Sequence, residues 1–131
     1  MTDPAANRRL VTDMLARVLR GDLDGGLALL GDDFVSHNPR VPHDPARTSG
    51  KEAFGAFFRG PDGQRLLAGD SEVVRTLADG DLVALHTHVS GAGGVELATV
   101  DIFRVRAALV VEHWDVVQPV PPSLPHPHGM F

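Results

Sequence analysis

From Ser71 to Gln118 the sequence adopts a strand-like period, and this restricts the fold more than any other feature. "SEVVRTLADGDLVALHTHV" reads as two β-strands around Ala78-Asp79-Gly80-Asp81, a hairpin signal. "SGAGG" turns the chain into "VELATVDIFRV", and "RAA" returns it into "LVVEHWDVVQ". A meander of this kind must cover one face of its sheet, and the first half of the chain supplies the cover. "TDPAANRRLVTDMLARVLRG" has Asp3 as a cap, Pro4 at the first helical position and Gly21 as a stop. Leu10, Met14, Leu15 and Val18 fall on one face of that helix. A shorter helix is expected over Asp22–Leu30, then a brief extended segment, "DDFVSHNP", and a polar loop, "RVPHDPARTSG". "GKEAFGAFFRG" reads as a third helix with Phe54, Phe57 and Phe58 at helical spacing.

Helices followed by a strand meander define an α+β protein. The order suggests a cone: a curved mixed or antiparallel sheet wrapped around about three N-terminal helices, with an interior pocket. One domain is expected over residues 1–118, with residues 119–131, "PVPPSLPHPHGMF", as an extended proline-rich tail. The formal net charge of −5, with arginines dispersed among acids, argues against nucleic acid. No stretch approaches a transmembrane length, and the N-terminus lacks the apolar run of a signal peptide. The expectation is a cytoplasmic protein with no membrane partner. The absence of cysteine removes disulfides and thiolate metal sites.

Within "VVEHWDVVQ" the paired valines belong to a buried strand, yet Glu112, His113 and Asp115 lie between them. Burying such groups without partners costs several kcal/mol, so the strand either faces solvent or lines a cavity. Alternation puts His113 and Asp115 on one face and Glu112 and Trp114 on the other. The partner strand carries Asp101 and Phe103 on one face, and His86 and His88 share a face of the strand before it. A bulged three-residue turn would pair Val105 with Leu109 and Asp101 with His113, leaving Asp115 on that face. A two-residue turn would pair Asp101 with Trp114. The bulged turn favours glycine near position 108, where the chain has Ala108. The residues leave both registers open.

"DDFVSHNP", "DGDLVALHTHV", "VDIFRV", "VEHWDVVQPV" and the closing "HGMF" resemble the SnoaL-like polyketide cyclases. These belong to the nuclear-transport-factor-like superfamily, with ketosteroid isomerase and limonene epoxide hydrolase. The resemblance covers nearly the whole chain and implies the bulged turn, a homodimer and an acid–base site. Asp115 matches the catalytic aspartate of the cyclases and the epoxide hydrolase, which implies a general base. Asp101 matches the isomerase aspartate that stays protonated and donates to an enolate oxygen. Asn38 falls where the isomerase has its base, and the chain has no tyrosine, which argues against steroid isomerisation. In the epoxide hydrolase an asparagine in this region positions water. That enzyme's Arg-x-Asp pair is replaced here by His86-x-His88.

The expected function is acid–base chemistry without cofactor on an apolar, polyketide-like carbonyl compound: cyclisation by aldol closure, or isomerisation. Asp115, Asp101 and His88 are the expected catalytic residues. Asn38, His37, His86, His113, Phe54, Phe57 and Phe103 are expected to bind the substrate, with Leu85 in the apolar wall. Asp101 paired with Arg104 or Arg106 at an exposed rim is the structural alternative. Trp114 and Glu112 would suit a dimer contact. His86, His88 and an aspartate have donor chemistry for a divalent metal, but no HxxxH helix supports one, and the expectation is none. Two other functions compete: an epoxide-hydrolase-like activation of water by Asp115 and Asn38, and a non-catalytic ligand-binding or dimerisation module.

Overall fold

A computed structural model describes residues 2–92 and 94–131; Met1, and Gly93 within the expected Ser90–Gly94 turn, lie outside them. Helix α1 (Pro4–Leu19) starts where expected, because the Asp3 carboxylate accepts from the backbone N–H groups of Ala5 and Ala6. Helix α2 (Leu23–Leu27) is shorter than the Asp22–Leu30 expected, since Leu30 already belongs to strand β1 (Leu30–Ser36). Helix α3 (Gly50–Arg59) is capped by Ser49, whose Oγ accepts from the N–H of Glu52. A fourth helix, α4 (Pro61–Leu67), follows at once; Gly60 ends α3 and Pro61 opens α4. The sequence reading passed over it because seven residues carry too little periodicity to register.

The meander is as expected: β2 (Asp70–Asp79), β3 (Leu82–Ala92), β4 (Val95–Arg106) and β5 (Leu109–Pro119). The sheet order is β1-β5-β4-β3-β2, with β1 parallel to β5 and the other pairs antiparallel. This is a mixed five-stranded sheet with the helices packed on its inner face, the α+β cone. Val11 and Met14 of α1 meet Val83, Leu85, Phe103, Val105 and Val110 there. Among the described residues no helix is long and apolar enough to cross a membrane.

The β4–β5 connection has the two-residue turn of one expectation but the strand pairing of neither. Arg106 pairs with Leu109, so the turn has two residues, Ala107 and Ala108, with φ of 52° and 59°. Positive φ at both central positions is the type I′ arrangement that suits the twist of a hairpin. A bulge then lies inside the strands: Val105 pairs with Val110 and Arg104 with Glu112, leaving Val111 as the extra residue. The bulge reverses the parity that a two-residue turn alone would impose. Asp101 therefore pairs with Asp115, and Phe103 with His113. The three groups share a face after all, by a different route.

Strand β3 has the opposite consequence for its histidines. Val83, Leu85, Thr87 and Val89 are buried toward the helices, so His86 and His88 point to the outer face. The tail runs along that outer face. Beyond Pro119 it forms neither helix nor strand, and Phe131 stacks on His88 at 4.3 Å and His86 at 5.6 Å between ring centroids.

Candidate active site

A cavity of about 140 Å³ opens between the helices and the inner face of the sheet. Most of its wall is hydrocarbon, including Met14, Leu27, Phe54, Leu85 and Phe103. Its polar groups come from β4, β5 and the loop after β1: Asp101, His113, Asp115 and Asn38, with Thr87 and Thr99 alongside. The cavity reaches the surface beside Leu19, 39% exposed, and Arg40, whose side chain is 42% exposed.

His113 is the hub. It is 3% exposed, and its Nε2 lies 2.8 Å from Asp101 Oδ1. Its Nδ1 lies 3.2 Å from Ser36 Oγ, which the parallel β1–β5 pairing sets beside it. Phe103 stacks on the imidazole at 4.7 Å, and Phe54 meets its edge at 5.6 Å. Among the described residues Asp101 makes no arginine pair, so the rim alternative does not apply. Arg104 binds Asp81 and Glu112, and Arg106 binds Asp33.

The Asp115 side chain is 4% exposed, and its Oδ1 is buried without a hydrogen-bond partner among the described residues. Oδ2 lies 3.7 Å from Arg40 Nη2. Burial pushes the Asp115 carboxyl above the ordinary aspartate range. The nearby His113 ring pulls against that shift, the Asp101 charge adds to it, and Arg40 and the residue's own N–H oppose it. Asn38, 6% exposed, uses Oδ1 to accept from the N–H of Arg40 at 2.9 Å. Its amide Nδ2 has no hydrogen bond to the described residues.

Four expected site residues lie outside this cavity. His86 and His88 sit on the outer face because the inward parity of β3 belongs to Val83, Leu85 and Val89. There His86 Nδ1 accepts from Arg75 at 2.9 Å, and His88 Nε2 is 3.5 Å from Glu96 Oε2 without hydrogen-bond geometry. His37 also lies outside, stacked flat on Trp114 at 5.2 Å and bonded to Glu112 at 2.9 Å. That contact, with Arg104 on the other Glu112 oxygen, holds the Glu112 carboxyl below its ordinary range. Phe57 packs on Phe58 at 5.1 Å, and it is Phe58, one turn from Phe54, that reaches the cavity. Ser36 beside His113, and Arg40, Ser71, Thr87 and Thr99 in the cavity wall, are polar groups that sequence reading missed. The signal for Thr87 was its shared parity with Val83, Leu85 and Val89.

Among the described residues no three His, Asp or Glu side chains are placed to hold a metal ion. The polar end can instead offer a buried carboxylate as proton acceptor, an amide as hydrogen-bond donor and a guanidinium at the mouth.

No curated protein matches the chain. Among solved structures, a candidate ketosteroid isomerase from Kribbella flavida DSM 17836 superposes with a TM-score of 0.72 at 24% identity, over 98% of this chain and 87% of that one. An NTF-2-like protein of unknown function from Burkholderia xenovorans LB400 gives 0.72 at 21% identity, over 92% and 88%. An epoxide hydrolase of LEH-like type from M. tuberculosis gives 0.68 at 21%, over 88% and 84%. At these identities the likeness is one of fold. The sequence pattern of the SnoaL-like domain matches residues 11–113, and the chain belongs to that family.

Proposed function

We propose that the chain is a cofactor-independent acid–base enzyme acting on a compact apolar carbonyl compound. One observation carries this reading: Asp115 is buried in a hydrocarbon-walled cavity, with one carboxylate oxygen unpartnered and a second acid opposite it. A carboxylate with raised proton affinity is the stronger base, and closing it off from water sharpens that. In the proposed reaction Asp115 takes the proton from a carbon beside a carbonyl, and the C–H electron pair moves into an enolate. The enolate oxygen is met by Asn38 Nδ2 and the Arg40 guanidinium. Asp101 is a less suitable donor than its match to the isomerase implies, because its Oδ1 is already engaged with His113 Nε2 at 2.8 Å. Attack of the enolate carbon on a second carbonyl of the same molecule closes a ring, and the proton held by Asp115 passes to the new alkoxide.

The size of the cavity supports a limit on the substrate. At about 140 Å³ it is close to an engineered cavity of about 150 Å³ that holds benzene. The enclosed part therefore suits about one ring, and any longer polyketide-like chain would extend past Leu19 or Arg40. The test is α-proton exchange in heavy water with small cyclic ketones and β-dicarbonyl compounds. Exchange by the wild type and none by Asp115→Asn supports the reading; equal exchange by both refutes it.

A second reading, water activation, draws support from Asp115, whose Oδ1 has no partner among the described residues, and from Asn38, which lines the same cavity. Incubation with epoxides in oxygen-labelled water separates the two, since only a hydrolase leaves a solvent oxygen in product. A purely structural module would have no need of a hollow holding Asp101, His113 and Asp115. A second copy of the chain is the proposed partner of the outer sheet face, where Val100 and Val116 pair across β4 and β5 and stand 38% and 69% exposed.

A further inference from the structure

We propose that Ser36 is a positioning residue: its hydroxyl locks His113 in the tautomer protonated at Nε2, so that the imidazole donates to Asp101. The argument is a count of hydrogens. Ser36 Oγ has two contacts among the described residues: it receives the N–H of Asn38 at 3.2 Å and faces His113 Nδ1 at 3.2 Å. A hydroxyl has one hydrogen to give. With the Asn38 N–H occupying a lone pair, the contact left for that hydrogen among the described residues is His113 Nδ1. Nδ1 then carries no proton, and the ring hydrogen sits on Nε2, 2.8 Å from Asp101 Oδ1. The opposite tautomer would turn the Nε2 lone pair onto a carboxylate oxygen and leave the Ser36 hydrogen unbonded. A doubly protonated ring would also strand that hydrogen.

The lock aims the Nε2 hydrogen at Asp101 and leaves Asp101 Oδ1 as an acceptor on the strand opposite Asp115. The charged and titratable groups facing His113 are Asp101 on β4 and Asp115 on its own strand, with Arg40 beyond Asp115. Phe54 and Phe103 close the remaining sides with hydrocarbon. Glu112 points to the opposite face, toward His37 and Arg104. Ser36 also ties the two ends of the site together, because the same oxygen that orients His113 accepts from the backbone of Asn38.

Ring-nitrogen NMR on protein carrying isotope-labelled histidine tests this without a substrate, the His113 signals being those lost in His113→Asn. The expected wild-type spectrum at neutral pH has Nε2 protonated and Nδ1 bare. Ser36→Ala should lose the single-tautomer pattern, and Ser36→Thr, which keeps the hydroxyl, should restore it. A wild-type ring protonated at Nδ1, or at both nitrogens, overturns the proposal, as does an unchanged ring in a folded Ser36→Ala. A second measurement rests on the acid–base reading: the pH profile of α-proton exchange. The His113 ring is among the groups that act on the Asp115 carboxyl, drawing it downward, so a change in how the ring is held should be felt there. The acid limb of the Ser36→Ala profile should therefore move, whereas a merely structural defect lowers the rate without moving it. If no exchange is found at all, the NMR result still decides the role of Ser36.

Discussion

Asp101 and Asp115 stand opposite each other across β4 and β5, yet their environments differ: Asp101 Oδ1 lies 2.8 Å from His113 Nε2, while Asp115 Oδ1 is buried without a hydrogen-bond partner among the described residues. Like charges placed directly across a sheet are destabilising, and the asymmetry puts that cost on Asp115. Because its folded-state pKa is raised, the folded chain holds this proton more tightly than the unfolded chain does. The resulting stabilisation is complete below the unfolded pKa and disappears as pH rises through the folded one.

At neutral pH, then, Asp115→Asn should abolish turnover and stabilise the fold. Relieving a buried carboxylate with one unpartnered oxygen is worth on the order of 1 kcal/mol, or about 4 °C in melting temperature for a chain of this size. The gain should shrink as pH falls through the raised folded-state pKa and be gone below the unfolded aspartate range, where both chains are uncharged at position 115. Thermal melts of the two proteins across pH measure it. A variant that melts below the wild type at neutral pH would show that the site holds its charge comfortably.

The turn that joins β4 to β5 has no glycine. Each left-handed alanine costs about 1–2 kcal/mol, and Ala107 and Ala108 are both in that region. Replacing them with Asn-Gly, the pair that type I′ turns prefer, should raise stability by roughly 1–2 kcal/mol in chemical denaturation. The β4–β5 pairing should stay as it is, because the bulge at Val111 lies inside the strands. Loss of the His113–Asp101 hydrogen bond in the variant would mean that the turn itself sets the register.

That hairpin also marks where the sequence was legible and where it was not. The meander, α1 and the third helix follow from periodicity and caps, which are local. The register does not, because a strand bulge costs one residue and leaves no composition signal; Val110 and Val111 look alike whichever is extra. The grouping of Asp101, His113 and Asp115 was legible only through the family resemblance. Exclusion of His86 and His88 from the cavity was legible in principle: in "LVALHTHV" the apolar parity runs through Val83, Leu85 and Val89. Ser36 was invisible, since its place beside His113 depends on a parallel pairing between strands far apart in the chain.

The tail gives a control for that exclusion. Phe131 covers His88 and His86 on the outer face, so Phe131→Ala should lose a stacked contact worth about 0.5–1.5 kcal/mol. Neither it nor His88→Ala should alter α-proton exchange in the cavity, because the sheet separates them from Asp115. Exchange lost in His88→Ala with the fold intact would return His88 to the mechanism.

The outer face beside that contact is the proposed dimer surface, and its dimensions can be compared with what a dimer needs. Strands β2 to β5 are 10 to 12 residues long. At about 3.3 Å per residue and 4.8 Å between strands they present roughly 35 by 19 Å. A stable dimer buries about 800 Å² per partner, near a tenth of the chain's 7710 Å²; the sheet face approaches that, and the tail lying on it over His86 and His88 has to share the contact. Its exposed centre is the Val100–Val116 pair, and Trp114 lies alongside Val116, held between His37 and Arg104. Val116 is already 69% exposed in the single chain, so Val116→Glu should leave the folded monomer's stability nearly unchanged. At the centre of a two-fold interface the same substitution sets two carboxylates against each other in an apolar surround. Sedimentation should therefore find the wild type dimeric and Val116→Glu monomeric at the same concentration, and a monomeric wild type would leave this face without the partner proposed for it.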